Sequence, residues 1–303
     1  MARRSKIMGR ISDMISVKNL SHSYNEDGNF AVKNISFEVV NGETFGFLGP
    51  SGAGKSTTQG ILTGLLKLQD GEVLVAGYDI KKVQNERFNK IGVSFEQSNV
   101  YGKLTAKENL EYYAKLFDVP TRDPMELIHL VGLDGKENVR AGEFSKGMKH
   151  RLTFARSMIN NPELWFLDEP TTGLDPAIAA TIKDIIREKT AQGTTSFLTT
   201  HNMFIADELC DRVAFIIDGE IKLIDSPKNL KLQYGQKLID IEYINDGKIV
   251  KETLKTVDEL ERKRIGEIVN NYEIRTMHSK EATLEEIFIQ VTGRELVYNE
   301  AIK

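Results

Sequence analysis

The sequence has almost no cysteine. One thiol, Cys210, among 303 residues excludes an internal disulfide framework and a cysteine-built zinc site, and it suits a reducing compartment. Long apolar runs are also missing: the best, Val213 to Ile217, falls far short of the roughly 18 residues a membrane span needs. The chain is therefore expected not to cross a bilayer by itself. Nor does one sign of charge dominate, since 40 Lys and Arg against 44 Asp and Glu leave a formal charge of −4. Proteins that coat nucleic acid carry a basic excess, so no nucleic-acid partner is expected. Internal repeats and low-complexity stretches are absent. What remains is ordinary globular composition, 40% hydrophobic and 28% charged, enough for one large or two ordinary domains with a sizeable core.

Arg3, Arg4, Lys6 and Arg10 open the chain without an acidic residue among them and without an apolar segment behind them. That pattern is not a secretory signal. Residues 1–13 read as a flexible leader, with weak attraction to an anionic membrane surface as the alternative.

Between Ile15 and Phe47 the texture is that of strands. Ile35, Phe37 and Val39 alternate with polar neighbours, and Asn41-Gly42 is a turn of hairpin quality. Thr44 to Leu48 is a short apolar run that stops at a glycine, and a helix is expected from Lys55 to about Leu66. Glu72–Ala76 and Ile91–Phe95 read as further strands. From Thr105 to Asn160 helical spacing takes over, starting with a capping box at Thr105-Ala106-Lys107-Glu108. Strand texture returns at Leu164–Leu167, Thr195–Thr199 and Arg212–Ile217, and Asp175-Pro176 starts a helix between the first two. Strands alternating with helices imply a mostly parallel sheet covered on both faces. Beyond Ser226 the pattern weakens to a hairpin around Asp246-Gly247 and a short helix at Thr283–Val291.

The chemistry is concentrated in two motifs. Gly49-Pro50-Ser51-Gly52-Ala53-Gly54-Lys55-Ser56 fits the phosphate-loop pattern between a strand and a helix, with Thr57 next in line. Its glycines let backbone N–H groups turn toward phosphate oxygens. The following helix adds its positive end, Lys55 adds a full charge, and Ser56 offers a hydroxyl to Mg²⁺. Leu164-Trp165-Phe166-Leu167-Asp168-Glu169 is an apolar strand ending in two carboxylates. Asp168 is placed to hold the metal and Glu169 to orient or deprotonate water. Alone such an ending is common; beside a phosphate loop it is informative.

Between these motifs, Phe144-Ser145-Lys146-Gly147-Met148 precedes Arg151-Leu152. Here the chain resembles the ATP-binding subunits of ABC transporters, whose pattern reads Leu-Ser-Gly-Gly-Gln, and the resemblance extends over residues 15–225. Phe144 replaces the Leu, Lys146 the first Gly and Met148 the Gln. The resemblance implies a phosphate-loop NTPase core with a mostly parallel sheet, an N-terminal antiparallel β subdomain and a helical subdomain at about 100–160. The cassette would occupy 14–225, and a small α+β extension 226–303. It implies that Tyr24 stacks on adenine, that Ser145 and Gly147 touch a phosphate, that Asp175 lies in the loop linking two ATP sites, and that His201 contacts the γ-phosphate. The family's loop glutamine falls on Glu96, with Gln97 next to it, so either a glutamate serves there, near metal and phosphate, or the loop is shifted by one residue.

The resemblance further implies ATP and Mg²⁺ as ligands, a head-to-tail dimer with a second copy or a homologue, and separate transmembrane permease subunits at the cytoplasmic face of the membrane. Phe144–Met148 and Ala282-Thr283-Leu284-Glu285-Glu286-Ile287-Phe288 are similar to the exporter branch that includes daunorubicin-resistance-type ATPases. The alternatives are an importer ATPase and a soluble ABC ATPase outside transport.

Overall fold

The structure is a computed structural model that describes residues 13–25, 29–82, 84–235 and 237–294; the leader lies almost wholly outside them. Packing divides the chain between Asp225 and Ser226 into two compact units.

In the first unit the elements run β1 Ile15–Ser23, β2 Phe30–Val39, β3 Thr44–Leu48, α1 Lys55–Thr63, β4 Asp70–Val75, β5 Tyr78–Asp79, α2 Glu86–Lys90 and β6 Ile91–Ser94. They continue with α3 Ala106–Ala114, α4 Pro124–Leu130, α5 Lys146–Arg156, β7 Leu164–Asp168, α6 Pro176–Ala191, β8 Thr195–Thr200, α7 Met203–Leu209, β9 Arg212–Ile217 and β10 Glu220–Asp225. One sheet is antiparallel, in the order β2-β1-β4-β5. The other has six strands, β10-β9-β3-β8-β7-β6, parallel except for β10.

Burial explains the second sheet. All five residues of β3 and all six of β8 are buried, as strands covered on both faces must be. Phe37 of the first sheet stacks on Phe45 and Phe197 at 5.7 and 6.1 Å between centroids, so the two sheets share one aromatic core. Trp165 points the other way, donating from Nε1 to Ser157 Oγ at 2.8 Å and packing on Phe154 of α5.

Two local expectations are corrected. Asn41-Gly42 turns the chain but makes no hairpin, because β2 and β3 belong to different sheets. The helix after Lys55 ends at Thr63, where Gly64 adopts φ +86°, three residues before Leu66. The capping boxes at Thr105 and Thr283 are both formed. Cys210 follows α7; its Sγ lies so close to β3 that a Cβ on Gly46 would meet it at 2.8 Å.

The second unit contains α8 Pro227–Tyr234, β11 Leu238–Asn245, β12 Lys248–Lys255, α9 Glu259–Asn271, β13 Glu273–Lys280 and α10 Leu284–Thr292. Its antiparallel sheet has the order β12-β11-β13. Ile241, Tyr243, Leu254 and Ile268 form its core. On the Tyr243 side, Tyr243 Oη donates to Glu252 at 2.5 Å and Arg264 donates to the same carboxylate at 2.8 Å. Neither α9 nor β13 leaves a sequence signal: α9 buries only Ile268, and seven of the eight β13 residues are exposed.

Candidate functional site

The phosphate loop is fixed from below by close backbone approach. A Cβ on Gly49 would meet Ile216 O at 2.2 Å, and one on Gly54 would meet Ala31 O at 2.5 Å. Gly54 also has φ +108°, a conformation costly to any residue with a side chain. With the loop pressed onto β2 and β9, α1 begins directly at Lys55. Lys55 Nζ donates to the carbonyls of Gly49 and Pro50 at 2.6 and 3.0 Å. Burial lowers its pKa, while the charges of Glu169, Asp168 and Glu96 oppose that shift.

Parallel pairing delivers the carboxylates. In the β7–β8 register Asp168 stands opposite Thr199, and Thr199 Oγ1 lies 2.5 Å from Asp168 Oδ1 and 3.0 Å from Gln59 Oε1 of α1. Burial pushes the Asp168 carboxyl above the usual range, the direction that a bound divalent cation reverses. Glu169 is 6% exposed and sits at φ +47°, rare for a residue with a side chain. Its Oε1 accepts from His201 N at 2.8 Å, with His201 Nδ1 at 2.6 Å; its Oε2 accepts from Thr200 at 2.8 Å and Thr172 at 3.1 Å. Burial favours the neutral acid, but these donors win and hold Glu169 below the usual carboxylate range. The same hydrogen bond raises His201. The result is an ionised carboxylate in a fixed orientation, as a general base requires.

Tyr24, Pro50, Ser51, Gly52, Gly54, Lys55, Ser56, Thr57, Glu96, Asp168, Glu169 and His201 line one cleft of about 540 Å³. Gly49 and Ala53 belong to the same loop. Tyr24 is 63% exposed at the lip, its Oη 3.1 Å from Thr57 Oγ1 and its ring edge-on to His22. An exposed, tethered ring of this kind offers a face to a planar base. Glu96 lines this cleft, and its main-chain N–H supports Asp168. Gln97 lines a neighbouring cleft of about 450 Å³, which Glu96 also reaches.

Ser145, Gly147 and Asp175 stand apart from the Lys55 cleft. Ser145 caps α5, accepting from Met148 N at 3.2 Å; Gly147 lines the neighbouring cleft; Asp175 caps α6, accepting from Ile178 N. The sequence reading missed Ala31 and Thr172, which line the Lys55 cleft, and Gln59, Thr199 and Thr200 behind it. The one available signal was the Thr199-Thr200 pair just before His201.

Mg²⁺ takes few protein ligands and keeps water and substrate oxygens. Ser56 and Asp168, a hydroxyl and a carboxylate on one cleft wall, fit that habit. Among the described residues no cluster of three or more His, Cys, Asp or Glu would cage a metal without help.

The ABC transporter family model matches residues 32–172. Over 286 residues the chain is 46% identical to the fluoroquinolones export ATP-binding protein of Mycobacterium tuberculosis, covering 94% of this chain and 95% of that one. It is 38% identical to ABC transporter A family member 10 of Arabidopsis thaliana, covering 75% of this chain and 26% of the plant protein. Among solved structures, an ATP-binding subunit of an ABC transporter superposes with a TM-score of 0.67 at 26% identity, over 73% of this chain and 93% of its own. A dimeric ATP-binding cassette in a post-hydrolysis state with ADP and Pi gives 0.64 at 27% identity, over 70% and 98%.

Proposed function

We propose, given that the chain belongs to the ATP-binding proteins of the ABC transporter family, that it hydrolyses ATP to drive export through separate membrane subunits, as one half of a head-to-tail dimer. Glu169 is the observation that carries the reading. It is a buried carboxylate, ionised and clamped by His201, Thr200 and Thr172, facing the loop that holds Lys55.

Each part has a task in this reading. Tyr24 stacks on the adenine, and the Gly49–Thr57 segment surrounds the phosphates with N–H groups, the α1 terminus and Lys55. Ser56 and Asp168 would hold Mg²⁺ from the protein side, and the ion would supply neutralisation of phosphate charge. Glu169 takes a proton from water attacking the γ-phosphorus as the bond to the bridging oxygen of ADP breaks. His201 fixes Glu169 and lies within the same cleft. Glu96 senses metal and phosphate from the loop between β6 and α3. Ser145 and Gly147, which do not line their own chain's Lys55 cleft, meet the ATP of a second copy, and Asp175 lies in the loop between the two sites. Nucleotide that binds the closed dimer more tightly than the open one shifts the pair toward closure.

Export as the direction rests on the chain-long likeness to the fluoroquinolones export ATP-binding protein. In this reading the path for cargo lies in partner subunits, to which the chain docks at the cytoplasmic face, and the likeness to an export ATP-binding protein supports it; among the described residues no helix is long and apolar enough to cross a membrane. The exposed pair Tyr101 and Tyr112, edge-to-face at 5.2 Å beside the Glu96 loop, is a surface suited to such docking.

Glu169→Gln tests the base and the dimer together. Turnover should fall about 10²-fold or more while ATP binding stays, and light scattering with Mg²⁺-ATP should show an accumulated dimer. A fully active, strictly monomeric variant would overturn both.

A further inference from the structure

Helix α5 breaks a local electrostatic rule. Its first turn contains no acidic residue, and Lys146 and Lys149 stand at the end where the helix dipole already presents positive charge. Neither lysine forms an ion pair among the described residues, although Glu143 is two residues upstream of Ser145. Lys146 is exposed and directly follows the cap Ser145. It also stands where the family pattern has a neutral glycine. Breaches of local rules of this kind concentrate at functional sites.

A second observation comes from beneath the helix start. His150 is only 5% exposed, and neither of its ring nitrogens has a hydrogen-bond partner; burial, with the charge of Lys146, lowers its pKa against the opposing pull of the Glu169 main chain, so the ring is a neutral N–H donor. It lines the 450 Å³ cleft together with Lys146, Gly147 and Lys149. Gln97 and Thr172 stand on the wall of that cleft, and Glu96 is its one acidic residue. Two lysines, a helix N-terminus and an unsatisfied imidazole around one opening are the chemistry of an anion site.

We propose that Lys146 places a full positive charge on the terminal phosphate of the ATP held by the Lys55 loop of a second copy, so that each composite site contains one lysine from each chain. This rests on the head-to-tail dimer proposed above. Ser145 and the N–H groups of α5 supply only partial charges; the lysine adds a charge that strengthens closure while the γ-phosphate is attached. Because Lys146 is exposed until the copies meet, its contribution is screened by salt in the approach and less so in the closed dimer.

The test uses the full chain with Glu169→Gln as parent, so that ATP drives dimerisation without turnover. Lys146→Gly, and Lys146→Gln as the variant that keeps helix propensity, should each raise the protein concentration for half-dimerisation about tenfold. Both should flatten its dependence on salt, and Lys146→Arg should stay within about threefold of the parent. Affinity of the monomer for a fluorescent ATP analogue should not change in any of them. With Glu169 intact, the two neutral variants should lower kcat about tenfold. Unchanged dimerisation with an unchanged salt slope would make Lys146 an ordinary surface lysine and overturn the proposal. Weakened monomer binding would also overturn it, by placing the lysine on its own chain's nucleotide. A parent that fails to dimerise with ATP would instead overturn the dimer reading, and the proposal with it.

Discussion

In the first unit Gln59, Thr199, Thr200 and Glu169 are at most 6% exposed, and their hydrogen bonds converge on two carboxylates at a cleft. In the second, Tyr243, Glu252 and Arg264 close on one another beside a core of four buried residues. Both arrangements pair their polar groups, but the first is buried, whereas Glu252 and Arg264 of the second stay partly exposed. They differ in how the charged groups are held. The first unit holds Glu169 at positive φ and a lysine among carbonyls; the second has its cation neutralised by its own carboxylate. Polar pairing serves chemistry in one unit and shape in the other.

Lys55→Ala should break this contrast most sharply. It removes the one full charge the loop presents, so productive ATP binding and turnover should be lost while the melting temperature, set by the aromatic core, stays near that of the parent. Titration with a fluorescent ATP analogue and a thermal melt measure the two, and unchanged affinity with unchanged turnover would remove the phosphate-loop assignment. Ile268→Ala addresses the other unit. Ile268 is fully buried, and truncating a buried isoleucine costs about 2–5 kcal/mol, more than a core of this size can absorb. The second unit should then lose its hydrogen-exchange protection while ATPase activity of the isolated chain remains within about twofold. A large loss of activity would show that the polar groups of the first unit depend on the second.

The smallest effect sharpens the contrast through pH. Its hydrogen bond to Glu169 raises the His201 pKa above 6.5, and burial opposes this. A group bound more tightly to its proton when folded stabilises most below its unfolded pKa, and the gain fades as pH rises through the folded value. The stability gap between the parent and His201→Ala should therefore be widest near about pH 6 and narrow toward about pH 9. Parallel melts across that range measure it; a gap independent of pH would mean that the imidazole contributes packing only.

The sequence was informative wherever chemistry demands contiguous residues. The phosphate loop must be one segment, because neighbouring N–H groups make the cradle, and the Asp168-Glu169 pair must end a buried strand. Thr172, Gln59 and Thr199 escaped notice because their positions depend on strand register and on the face α1 turns to the sheet, neither of which leaves a local mark. Asn41-Gly42 shows the same division. The dipeptide dictates a turn, but the partner of β3 is chosen by burial on both faces and so lies far away, in β8 and β9. At the other end, α9 and β13 were invisible because periodicity reports one-sided burial, and these two elements bury little.

Cys210 has a use beyond packing. The residue is 8% exposed, its thiol pressed toward Gly46, and burial holds it strongly protonated, so it is a poor nucleophile toward maleimides and methanethiosulfonates. Since it is the only cysteine in the chain, the native protein already serves as a silent background for site-directed labelling. A cysteine introduced on the exposed start of α5 or at the cleft lip would take up a spin label or a fluorophore alone, and the distance between two such probes would report whether the proposed dimer closes on nucleotide.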